Sequence, residues 1–170
     1  ETKIKDWFES LTEKTEDDTA QFLADSYAQA VSVATDPKMN IVTPPGKEAG
    51  IETAWSTAFK LQKASPDKMG APNWAPVEAA IILYWTAAVF SPATPHSPAV
   101  VPISNLVTSP GSPGIAAAID MAFKQEDAAK VAKELVNGYK NHAATIVGTY
   151  TGVTPPTASV TVTIPWTGIK

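Results

Sequence analysis

The sequence predicts a mainly α protein: a helical bundle around a central apolar helix at about residues 76–90, with a long proline-rich loop and a C-terminal extended or β arm. Three observations carry this expectation. Residues 79–90, Ala-Ala-Ile-Ile-Leu-Tyr-Trp-Thr-Ala-Ala-Val-Phe, hold no charge and place apolar side chains on every helical face. A helix that is apolar all round is buried on several sides. At about 1.5 Å per residue it reaches about 18 Å, short of the ~20 residues a bilayer span needs. Second, other stretches with helical spacing flank it. Third, the chain ends in strict alternation, Val160, Val162 and Ile164 against Ser159, Thr161 and Thr163, which is a strand pattern.

Taken in order, Trp7, Phe8 and Leu11 share one side of a short helix over residues 4–11. Thr15 followed by Glu16, Asp17 and Asp18 supplies a cap and an acidic first turn. The helix it opens spans 18–34, with Leu23, Tyr27 and Val31 recurring at helical spacing. Asp36-Pro37 ends it, because the residue before proline avoids the α region. Residues 38–50, containing Pro44-Pro45-Gly46, read as a loop. Ile51, Trp55, Ala58 and Phe59 mark a helix over 51–64, and 65–75 is a second loop. Pro76 suits a first helical position, where the central helix begins.

Residues 91–114 hold six prolines: Pro92, Pro95, Pro98, Pro102, Pro110 and Pro113. A loop this long inside a domain is functional or disordered. Its apolar run from Ala99 to Val107 argues against disorder and for an extended strap lying over the core. A helix follows over 115–123. The last helix is expected over 126–150, striped by Val131, Leu135, Tyr139, His142 and Ile146. Gly138 and Gly148 weaken it by about 1 kcal/mol each relative to alanine. The chain thus divides into a helical domain, 1–152, which includes the strap, and an extended arm, 153–170.

Composition narrows the chemistry. Hydrophobic residues make up 44% of 170, enough for a real core. Net charge is −4 and all 13 basic residues are lysine. That balance argues against nucleic acid and anionic lipid as partners. Without arginine there is no bidentate fork for phosphate. Without cysteine there is no disulfide, thiolate nucleophile or Cys-bound zinc.

No catalytic constellation emerges. His142 sits among apolar residues and reads as a buried core histidine with a hydrogen-bond partner. His96, in the proline-rich loop, reads as solvent-exposed. The two do not make a metal site. Glu16, Asp17 and Asp18 lack the spacing and glycine of a calcium loop. Glu78 reads as a first-turn acid, and Tyr84, Trp85 and Phe90 as core. Gly111-Ser-Pro-Gly114 lacks the Gly-Lys-Ser/Thr of a phosphate cradle and reads as a turn. No catalytic residue, metal or cofactor is expected.

Trp74-Ala-Pro-Val-Glu78, the Tyr84-Trp85 helix, the strap ending Ser109-Pro-Gly111, the helix through His142 and the final Ile164-Pro-Trp-Thr-Gly168 form one texture. Over Trp74–Lys170 it resembles small virion structural proteins of tailed bacteriophages. The resemblance implies an assembly role in the head, neck, tail or baseplate and transfers no functional residue.

The expectation is therefore a non-enzymatic structural subunit of a virion that contacts other structural subunits, copies of itself included. A secreted or cell-surface module is the alternative setting. The arm pairs with the strap or with a sheet edge of a neighbouring subunit. Pro98 and Pro102 remove donors from the strap and favour the neighbour. Val160, Val162, Ile164 and Trp166 are then the interface, with Trp166 as its anchor. Neither nucleic acid nor membrane is an expected partner. The alternative function is a small helical ligand-binding protein or hydrolase with a pocket near Tyr84, Trp85 and His142.

Overall fold

The computed structural model describes residues 1–43, 45–64, 73–86, 88–91, 94–97, 100–155 and 160–170, the Thr12 side chain excepted. Among these residues, six α-helices accompany a five-stranded antiparallel sheet, so the fold mixes α and β rather than being an all-α bundle. The helices are α1 (Thr2–Glu9), α2 (Glu16–Val31), α3 (Glu48–Ala64), α4 (Ala75–Trp85), α5 (Ile115–Phe123) and α6 (Ala128–Ala143). The strands are β1 (Val42–Thr43), β2 (Val89–Phe90), β3 (Val101–Ser109), β4 (Val147–Val153) and β5 (Thr161–Thr167). Sheet order follows chain order, β1-β2-β3-β4-β5.

The helical expectations stand where local chemistry dictates them. Thr15 accepts from the Asp18 N–H while the Asp18 carboxylate accepts from the Thr15 N–H, so a capping box opens α2. Lys60 and Lys63 of α3 reach Asp17 at 2.7 Å and Glu16 at 2.6 Å, tying α3 to the start of α2. Trp55, Phe59, Trp74 and Phe123 cluster at centroid separations of 5.2–6.1 Å, joining α3, α4 and α5. The α4 helix buries Val77, Ile81, Tyr84 and Trp85, yet Leu83 remains 59% exposed, so one face is open.

Three expectations are corrected, in each case because strand pairing with partners far along the chain decides the outcome rather than local pattern. The central helix stops at Trp85. Thr86 turns extended, and Val89–Phe90 joins the sheet between β1 and β3. The proline-rich strap is not laid over the core; its residues 101–109 are the sheet's middle strand. Pro102 is accommodated beside a register shift between Pro102 and Ser104, a position where a missing donor is tolerated. The last helix ends at Ala143, and Val147–Val153 is a strand. Gly148 is not a weak helix position but a close approach in β4, and so is Gly152. A Cβ at Gly148 would overlap the Trp166 indole, and one at Gly152 would overlap Val100 and the Val101 carbonyl.

The C-terminal strand pairs inside the chain, with β4, in an unbroken register from Val147↔Thr167 to Val153↔Thr161. Ser159 and Ala158, the first residues of the expected strand, lie outside the described residues. Beyond β5, Lys170 and Thr35 exchange both backbone bonds, at 2.9 and 3.0 Å. Thr35 in turn bridges Ile41, next to β1. Hydrogen bonds thus run from the hairpin at residues 34–42 through all five strands and back to it.

Candidate functional site

The sheet presents two different faces. Along β4 the burial alternates, with Gly148, Tyr150 and Gly152 buried. The inward layer contains Asn105, Tyr150 and Ile164 in one cross-strand row, and Val107, Gly148 and Trp166 in the next. Trp166 packs edge-on against Phe90 at 5.2 Å.

Within this layer lies a buried polar cluster. Asp36 has no exposed surface, and neither does Asn105. One Asp36 carboxylate oxygen accepts from the Lys38 N–H at 2.8 Å and the Asn40 N–H at 2.9 Å. The other accepts from the Asn40 amide at 2.9 Å, the Asn105 amide at 2.7 Å and His96 Nε2 at 2.9 Å. The Asn105 carbonyl oxygen accepts from the Trp166 indole N–H at 2.7 Å. Asn40 also exchanges two bonds with the Thr94 backbone, 2.7 and 3.1 Å. Burial pushes the Asp36 carboxyl up, but the donors from Asn40, His96 and Asn105 outweigh it and hold it below the usual carboxylate range. The group is therefore ionised, with both oxygens occupied. Chemically it is a staple: it joins the hairpin, the segment 94–97, β3 and, through Asn105, β5.

His96 is thus not solvent-exposed, as its loop suggested; its side chain is 4% exposed, lies against Asp36 and packs on Tyr150 with ring centroids 4.7 Å apart and the planes tilted by 32°. Sequence reasoning also missed Asp36, Asn40 and Asn105. Asp36-Pro37 looked like a helix stop, and nothing local reveals that residues 36, 96, 105 and 166 meet.

His142 is a buried core histidine with a partner, its Nδ1 donating to the Ser112 carbonyl at 2.9 Å. Gly111, at φ +96°, passes so close that a Cβ would lie 2.7 Å from the imidazole. Glu78 lies in the first turn of α4 and caps another helix: its carboxylate accepts from the Gly114 N–H at 2.6 Å and the Ala116 N–H at 3.0 Å, at the start of α5. Tyr84, Trp85 and Phe90 are core.

The outward face is different. None of the five strands contains a charged residue. One transverse row runs Thr43, Val89, Leu106, Thr149 and Pro165, continuous in register across all strands. Val101, opposite Val153 on the same side, is 51% exposed; Ile103, at the β3 register shift, and Val160, just before β5, are 57% and 56% exposed. Of the residues expected at an interface, Val160 is open, Val162 and Ile164 are half-buried, and Trp166 belongs to the chain's own core. The outer edge of β5 is a poor template for strand addition. In a ladder, proline fits only where its nitrogen faces away from the partner, so Pro165 leaves that edge one donor short mid-strand.

No family model, curated protein or solved structure matches this chain. Among the described residues, no helix is long and apolar enough to cross a membrane.

Proposed function

We propose that the chain is a non-enzymatic assembly subunit whose outward sheet face packs against neighbouring subunits, beginning with copies of itself. The observation that carries this reading is the charge-free face from Thr43 to Pro165, with Val89, Leu106 and Val101 open on it. Sheets facing water on one side ordinarily alternate apolar and charged or strongly polar residues. Here exposed Val89, Leu106 and Val101 stand among Ser104, Thr149, Thr151 and Thr163, and exposed apolar side chains rimmed by uncharged polar ones mark a contact site. The buried staple supports the same role, because it rigidifies β3 and β5 beneath the face, and a rigid surface loses less freedom on docking. Asp36 spends both carboxylate oxygens on the fold, which favours structural over acid–base work.

The virion is the setting implied by the resemblance over Trp74–Lys170, and it enters on that ground alone. Proteomics of purified particles, together with light scattering of the isolated protein, tests the reading. A concentration-dependent oligomer found in particles supports it. A strict monomer absent from every particle contradicts it.

A further inference from the structure

A separate feature lies on the helical side. A pocket of about 610 Å³ opens between α1, α2, α6 and the chain's last residues. Its floor is buried and apolar: Ile4, Val31, Ala34, Trp85 and Ile169, with Tyr27 directing its hydroxyl to the Trp85 indole, which donates to it at 2.6 Å. Val136, Tyr139 and Ala143 form a half-buried wall. The volume is that of a small-molecule site, about 300–1,000 Å³. Tyr84 and His142 do not line it.

The rim is predominantly cationic. Lys3, Lys140 and Lys170 stand around the mouth against one acid, Glu1, in a chain of net charge −4. Among the described residues none of the three lysines is in an ion pair. Lys3 is held across the mouth by a 2.7 Å bond to the Gln29 side-chain oxygen. An apolar floor under uncompensated ammonium groups complements a molecule with an aliphatic tail and an anionic head. Lysine acts there as a point charge and needs no planar, bidentate partner.

We propose that this pocket binds a single-tailed anionic amphiphile of the fatty-carboxylate class, tail on the Trp85 floor and carboxylate among Lys3, Lys140 and Lys170. The inference does not depend on the assembly reading, since the pocket and the outward sheet face share no residue.

Isothermal titration calorimetry with laurate below its micelle concentration tests it on the whole chain, with dodecanol and dodecyltrimethylammonium as probes of the same tail. The expected result is one laurate per chain, dodecanol at least tenfold weaker and the cationic probe weaker still. Ala30→Trp, at an exposed position of the lining, is expected to abolish binding while circular dichroism stays unchanged. The triple variant K3A/K140A/K170A is expected to lower laurate affinity at least tenfold and leave dodecanol unaffected. No binding of monomeric laurate would overturn the proposal, and so would equal affinity for the three probes. Binding to phosphatidylglycerol vesicles without binding of laurate would also overturn it, in favour of a membrane surface.

Discussion

Trp166 donates its indole N–H to Asn105, 2.7 Å away, and so connects the last strand to a carboxylate 130 residues earlier in the chain through a single amide. Removing Asp36 would leave the Asn40, Asn105 and His96 donors facing an apolar interior. Asp36→Ala is therefore expected to destabilise the protein by about 3–5 kcal/mol, since each buried donor left without its acceptor costs about 1–3 kcal/mol. Urea unfolding at pH 7 measures it. A loss under about 1 kcal/mol, the range of exposed ion pairs, would show that the cluster is not a staple.

This cluster marks where the sequence stops being readable. The Thr15 cap of α2, the start of α4 within one residue of Pro76 and the bounds of α5 follow from local chemistry and were legible, whereas α2 runs from Glu16 to Val31 rather than over 18–34. Of the sheet, only the terminal strand was legible, because the strand identity of Val89–Phe90 and of Val147–Val153 comes from partners far along the chain. Gly148 illustrates the point. It reads as a flaw in a helix until Trp166 is seen to occupy the space of its missing side chain. The capping role of Glu78 at α5 was equally invisible, since it depends on a helix 36 residues away.

Gly148→Ala is accordingly expected to cost about 1–3 kcal/mol through overpacking against the indole. The cost should shrink in a Trp166→Leu background, because the two sites share one volume. Thermal or urea melts of the four proteins give the coupling. Simple additivity would place the strain elsewhere.

His142 gives a pH dependence. Burial lowers its affinity for a proton; the Ser112 carbonyl and the charge of Glu78 oppose this and are outweighed. Nδ1 already donates to Ser112, and Nε2 has no partner among the described residues, so a second proton would be buried without an acceptor. Below the ordinary histidine value of about 6.5 the unfolded chain takes up a proton that the folded chain refuses. Stability is therefore full above that pH and falls as pH drops toward the lowered folded value. His142→Gln should flatten the slope of unfolding free energy between pH 7.5 and about 5.5. An unchanged slope would assign the titration to another group.

The terminal strand is part of the fold rather than a detachable arm, since Trp166 is buried and β5 pairs along the whole of β4. Deleting residues 154–170 is expected to abolish cooperative unfolding by circular dichroism. A truncated chain that melts cooperatively at the wild-type temperature would show that β5 is dispensable.

The central claim concerns the outward face, and sedimentation velocity tests it most directly. Leu106→Lys places a charge in the middle of the row from Thr43 to Pro165, whereas Leu83→Lys places one on the open side of α4. The account predicts a concentration-dependent oligomer for the wild type and for Leu83→Lys, and a folded monomer for Leu106→Lys. A wild-type monomer at every concentration, or an oligomer indifferent to Leu106→Lys, would contradict it.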